Sequence, residues 1–157
     1  PKIAKAQTGT VSTTVTIGTV QVTLTPTSFA YGNMPLNTSK ESFNIINESG
    51  AKNIKATVGG VITDLDIMGA NTTSSGTVWT LAGTAGSMAY VHAFGLATDG
   101  TTVPASYAPL TTSYVDLDND VPALGIRYFG LKITTPTTDT SGVQQTAVVT
   151  VLATYGV

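Results

Sequence analysis

Met88, Tyr90, His92, Phe94 and Leu96 fill five consecutive even positions, a spacing that an extended strand gathers onto one face. Ala89, Val91 and Ala93 on the other face are small and apolar, so both faces read as covered. Nowhere in the 157 residues do apolar side chains recur at the helical period. The chain instead breaks into short β-prone runs punctuated by Gly, Pro and Asn. Phe43, Ile45 and Asn47 predict a strand that turns at 47–50 and pairs as a hairpin with Ile54 to Val58. Shorter runs follow at Ile62 to Ile67 and Val78 to Leu81. The apolar positions change parity near Gly130, from Ile126 and Tyr128 to Leu131 and Ile133, and Val143 to Tyr155 reads as the last and longest strand. Eight to ten strands are expected, which makes the fold class all-β. The architecture expected is an immunoglobulin-like or jelly-roll β-sandwich with an N-terminal extension strand.

Composition agrees and excludes several functions. Thirty Thr and eleven Ser outnumber the sixteen charged residues, and β-branched Thr suits a half-buried pleat. Seven Lys and Arg against nine Asp and Glu leave no basic surface for nucleic acid. With no Cys, disulfide frameworks and thiolate metal or redox chemistry are excluded. No run reaches the ~20 apolar residues of a membrane-spanning helix, so no membrane span is expected. Scarce charge also leaves sheet edges without the lysines that usually guard them, a pattern suited to surfaces that neighbours cover.

Catalytic signatures are missing. There is one histidine, His92, and its place within an alternating strand marks it as a core or interface residue satisfied by a hydroxyl or carbonyl. A non-enzyme is expected. Trp79 is read as core packing rather than a sugar-binding platform. Asp116, Asp118, Asn119 and Asp120 place hard oxygen ligands at close spacing, the type that Ca²⁺ takes. Val121 and Arg127 stand where an EF-hand needs Gly and Glu, so the alternatives are a structural Ca²⁺ on an extended loop or a solvated turn capping its own amides. Asp64 and Asp66 form a second, weaker pair. Three sequons, at Asn37, Asn47 and Asn71, fall in turns and are glycosylation candidates in an exported protein.

The N-terminal segment carries the main functional expectation. Val11, Thr13, Val15 and Ile17 share one face, while Val20, Val22 and Leu24 fall on the other parity, with a bend at Gly18 between them. Residues 1–17 therefore read as an extension and 18–157 as a single sandwich domain. Such a strand either pairs with its own sheet or crosses to a neighbour and completes that sheet. The stretch VQVTLTPTSFAYGNMPLNTSKESFNIINESGAKNIKATV, with its aromatic-Gly turn and Phe-x-Ile-x-Asn run, resembles the opening of immunoglobulin-like surface modules. Ala147 to Thr154 is similar to their last strand. Within that group the chain resembles subunits of archaeal threads and bundling pili and of TasA-like biofilm fibres. The resemblance implies an extracellular, cell-surface homopolymer in which Val11, Thr13, Val15 and Ile17 form a donated polymerisation strand. Pro1, an easy product of initiator-Met removal, fits an alternative: a virion component such as a capsid decoration or tail protein. An adhesin-like binding module is the third reading.

Overall fold

The computed structural model describes residues 18–48 and 50–157, and every structural statement below concerns these. The donor-strand expectation for Val11, Thr13, Val15 and Ile17, and the bend's N-terminal side, lie outside them. Ten strands form two sheets: β1 (Val22–Thr25), β2 (Ser39–Glu41), β3 (Ile54–Val58), β4 (Thr63–Gly69), β5 (Thr80–Leu81), β6 (Ala89–Ala97), β7 (Ala108–Pro109), β8 (Val115–Val121), β9 (Ile126–Thr134) and β10 (Val149–Tyr155). The larger sheet runs β1-β3-β9-β6-β5, with β2 beside β9 and β7 beside β6; the smaller runs β10-β4-β8. The fold is an all-β sandwich, and no helix among the described residues is long and apolar enough to cross a membrane.

Alternation builds the core. β3 and β4 bury every second residue, which brings Ile54, Ala56 and Val58 against Leu65 and Ile67. Phe129, Leu131 and Ile133 of β9 add the centre, with Tyr90 of β6 fully buried beside them. Deep burial of each such aliphatic or aromatic side chain contributes about 2 kcal/mol. Leu96 lies past the covered part of β6 and is 43% exposed.

Two expectations are corrected. Phe43 to Asn47 is not a strand: Ser42–Asn44 forms a 3₁₀ turn, and the amides of Ile45 and Ile46 both close onto the Ser42 carbonyl. Fully buried Ser42 turns its hydroxyl to the Leu131 amide at 2.8 Å, filling the step in β9 between its pairings with β3 and β2. That bond has no counterpart in a hairpin strand, so β3 pairs with β1 and β9 instead. The chain still reverses where Glu48 and Ala51 are bridged.

The second correction concerns Gly130. Register between β6 and β9 is unbroken from Val91↔Thr134 to Ala97↔Tyr128, so β9 has no bulge there. Its inner face is Phe129, Leu131 and Ile133, and Tyr128 belongs to the outer one. Gly130 lies opposite Gly95, and both lack side chains because the 104–106 loop crosses them: a Cβ on Gly130 would stand 2.9 Å from Pro104 Cγ. The irregularity is elsewhere, between β4 and β8 around Leu65. The last strand is also shorter than its apolar pattern, starting at Val149; before it Thr146 forms an isolated bridge with Thr73, beyond the end of β4.

Candidate functional site: an open groove between two sheet edges

β1 ends one sheet and β10 ends the other, and among the described residues neither has a partner on its outer side. Alternation fixes which groups face outward. The Gly156 amide bonds to Ile62 and Thr146 exchanges both bonds with Thr73, so even-numbered residues of this final segment spend their backbone groups on the smaller sheet. Val149, Val151 and Ala153 therefore point N–H and C=O along the open edge, while their side chains pack half-buried against the core. β1 is arranged likewise: Gln21 accepts from Gly59, so Val22 and Leu24 turn their backbone groups outward.

Beyond Leu24 and before Val151 the two edges leave a groove of about 950 Å³. Its walls are the segments 26–34 and 142–149, and its floor is β9 from Phe129 through Leu131 to Ile133. The lower end, at Leu24, Ile54 and Val151, is aliphatic. The upper end carries Thr72, His92, Thr135, Asp139 and Gln145. Thr135 and Thr72 are occupied, the first by the carbonyls of Pro35 and Thr38 and the second by Gln145 Oε1 at 2.6 Å. Asp139 accepts from Ser141, which holds its carboxyl below the usual range.

His92 is 2% exposed, as the alternation predicts, and the Tyr31 hydroxyl lies 3.3 Å from its Nε2, so a hydroxyl satisfies one of its two ring nitrogens. Burial lowers its pKa to about 4, so the ring is neutral at pH 7. Its Nδ1, also buried, has no hydrogen-bond partner among the described residues. The same burial raises Tyr31 above the ordinary phenol range and Tyr90 to about 12. Trp79 packs at 6.2 Å from Tyr90 between ring centroids, the core role expected of it.

The acidic residues do not converge. Asp116, Asp118, Asn119 and Asp120 belong to β8 rather than to a loop. Asp118 is taken by Arg127, Asn119 donates to Asp116 at 2.9 Å, and the Asp120 amide donates to Asp64 at 2.8 Å. Asp66 lies directly opposite Asp116, so the smaller sheet brings the second carboxylate pair beside the first, which the sequence did not reveal. No group of three or more metal-ligating side chains among the described residues could hold an ion. The sequon asparagines Asn37, Asn47 and Asn71 are all exposed, though Asn71 Oδ1 already accepts the Leu81 amide at 2.9 Å.

What the sequence reading missed is the groove itself. Its floor reads as ordinary core, and its openness follows only from β1 and β10 ending separate sheets. No family model matches the chain, and neither does any curated protein or solved structure.

Proposed function

We propose that this chain is a structural subunit of an extracellular, pilus- or thread-like filament that polymerises by donating its N-terminal β-strand to a neighbouring copy. The observation that supports this most is the open groove. It has an apolar floor with a two-residue repeat, and beside it runs a strand edge whose amides and carbonyls have no partner among the described residues. A one-sided strand answers both needs, and the segment 10–17 has that form: Val11, Thr13, Val15 and Ile17 on one face, Thr10, Ser12, Thr14 and Thr16 on the other. Eight extended residues span about 26 Å, close to the length of β10.

Each of Val11, Val15 and Ile17 contributes roughly 2 kcal/mol on burial, and the backbone bonds fix the register. Passed from copy to copy, the contact is heterologous and does not close, which gives a fibre. Scarce charge and hydroxyl-rich faces suit such packing, and glycans on Asn37, Asn47 and Asn71 belong to the same exported reading. Removing residues 1–17 tests it: the truncated protein is expected to stay monomeric under the electron microscope while the full chain forms filaments. Filaments from the truncated protein would refute the mechanism.

A further inference from the structure

The groove differs at its two ends, and so does the segment proposed to fill it. The floor rises from Phe129 through Leu131 to Ile133, and register places Ile54 beside Phe129 and His92 beside Ile133. Below, the lining is aliphatic; above, it holds the buried His92 ring, whose Nε2 is engaged by Tyr31 and whose Nδ1 has no partner among the described residues. An unpartnered buried nitrogen costs about as much as a lost hydrogen bond, so an occupant with a polar atom at that level is favoured over a purely aliphatic one. When the Tyr31 hydroxyl donates to Nε2, Nδ1 carries the proton and calls for an acceptor, which a threonine hydroxyl supplies.

Within the segment 10–17 the inward face is aliphatic at Val15 and Ile17 and carries its one hydroxyl at Thr13. Thr13 and Ile17 are four residues apart, as are Ile133 and Phe129, so both pairs span about 13 Å. The two patterns superimpose in one direction only. With Ile17 over Phe129, Thr13 arrives at Ile133 and His92; reversed, Ile17 would cover the unpartnered nitrogen.

We infer that the groove is a directional strand site. It takes the N-terminal strand of a second copy parallel to β10, Ile17 at the Leu24–Val151 end and the Thr13 hydroxyl at His92 Nδ1. This rests on the donation reading for its occupant, but the direction is separate from the question of which copy supplies the strand. A strand entering this way extends the smaller sheet beyond β10 through the outward groups of Val149 and Val151, and it lies antiparallel to β1 across the groove.

Because the chain has no cysteine, paired cysteine variants of the full-length protein report this directly. Ala147 and Val151 are half-buried and mark the upper and lower parts of the β10 side. Val11, Thr13, Val15 and Ile17 are each changed to Cys and combined with Ala147→Cys or Val151→Cys; a disulfide forms only between Cβ atoms about 4 Å apart. Under mild oxidation, the donor positions that couple to residue 147 are expected to lie N-terminal of those that couple to 151. A reducible ladder of oligomers on a denaturing gel is expected for the coupling pairs.

The opposite order, Ile17 with Ala147 and Val11 or Thr13 with Val151, would overturn the direction and leave strand donation standing. The expected order with only intramolecular bonds would uphold the direction and overturn donation between copies. No coupling at any pair would overturn both. A second measurement isolates the hydroxyl: Thr13→Val is expected to speed subunit release from assembled protein about fivefold, with Thr13→Ser restoring it, the equivalent of one neutral hydrogen bond. Equal rates for Thr13→Val, Thr14→Val and the parent would contradict the Thr13–His92 contact.

Discussion

The Tyr31 hydroxyl and His92 Nε2 stand 3.3 Å apart, joining the segment after β1 to the middle of β6 across the upper groove. His92 is buried and Tyr31 partly so, and desolvation penalises the charged form of each, so the pair is held neutral.

The pH dependence of folding follows from that burial. His92 has a pKa of about 4 when folded and about 6.5 when unfolded, so between these values the unfolded chain binds more protons. Stability is then complete above pH 6.5, falls as the pH drops toward 4, and loses about 3 kcal/mol in all. Tyr31 and Tyr90, the rings beside the imidazole, stay neutral throughout this window. Urea titrations at pH 7 and pH 4.5 measure the loss, and His92→Gln should remove most of the difference, since the chain has one histidine.

Asn53 is fully buried, and its Nδ2 donates to the carbonyls of Asp99 at 2.9 Å and Thr102 at 2.7 Å, tying β3's entry to the loop after β6. Replacing it with Ala leaves two carbonyls unpaired, at a cost of about 2–3 kcal/mol. Asn53→Asp is expected to be worse at pH 7, because a carboxylate would face those same oxygens. Part of that loss should return at pH 4, where the acid is neutral. Equal stability of the two variants at both pH values would contradict this account.

Arg127 and Asp118 pair at the rim of the smaller sheet, with side chains 34% and 28% exposed. A pair so open to water contributes less than about 1 kcal/mol. Asp118→Asn should therefore move the urea midpoint little. With Asp118 held by Arg127 and Asp120 turned toward Asp64 through its amide, millimolar Ca²⁺ is expected to leave the melting temperature unchanged. A rise of several degrees with Ca²⁺, of the kind that ligand linkage produces, would show that the carboxylates rearrange around an ion.

How far the sequence speaks depends on the range of the forces involved. The alternation in β6 and the reversal bridged by Glu48 and Ala51 are local, and both are present in the structure. The segment 42–44 misled because its pattern is β-like while Ser42 is buried to accept a hydrogen bond from the Leu131 amide, 89 residues away. Gly130 misled for a similar reason: the apolar pattern reads as a change of face there, whereas β9 keeps its register and the glycine makes room for Pro104. At Asp116 to Asp120 the polar composition concealed a strand, because β4 supplies the pairing from far along the chain. The groove was the least legible, since it is defined by two strands, β1 and β10, that end different sheets and do not pair with each other.

Strand donation makes two kinds of defect separable, and a mixing experiment exposes both. Ile17→Asp disables the donor and leaves the groove intact; Val151→Arg blocks the groove and leaves the donor intact. Each variant alone is expected to remain monomeric by electron microscopy and by size in solution, whereas the parent forms filaments. Mixed in equal amounts, the two should form a one-to-one dimer and grow no further, because one good donor meets one good groove. Filaments from either variant alone, or a mixture that stays monomeric, would contradict polymerisation by the N-terminal strand.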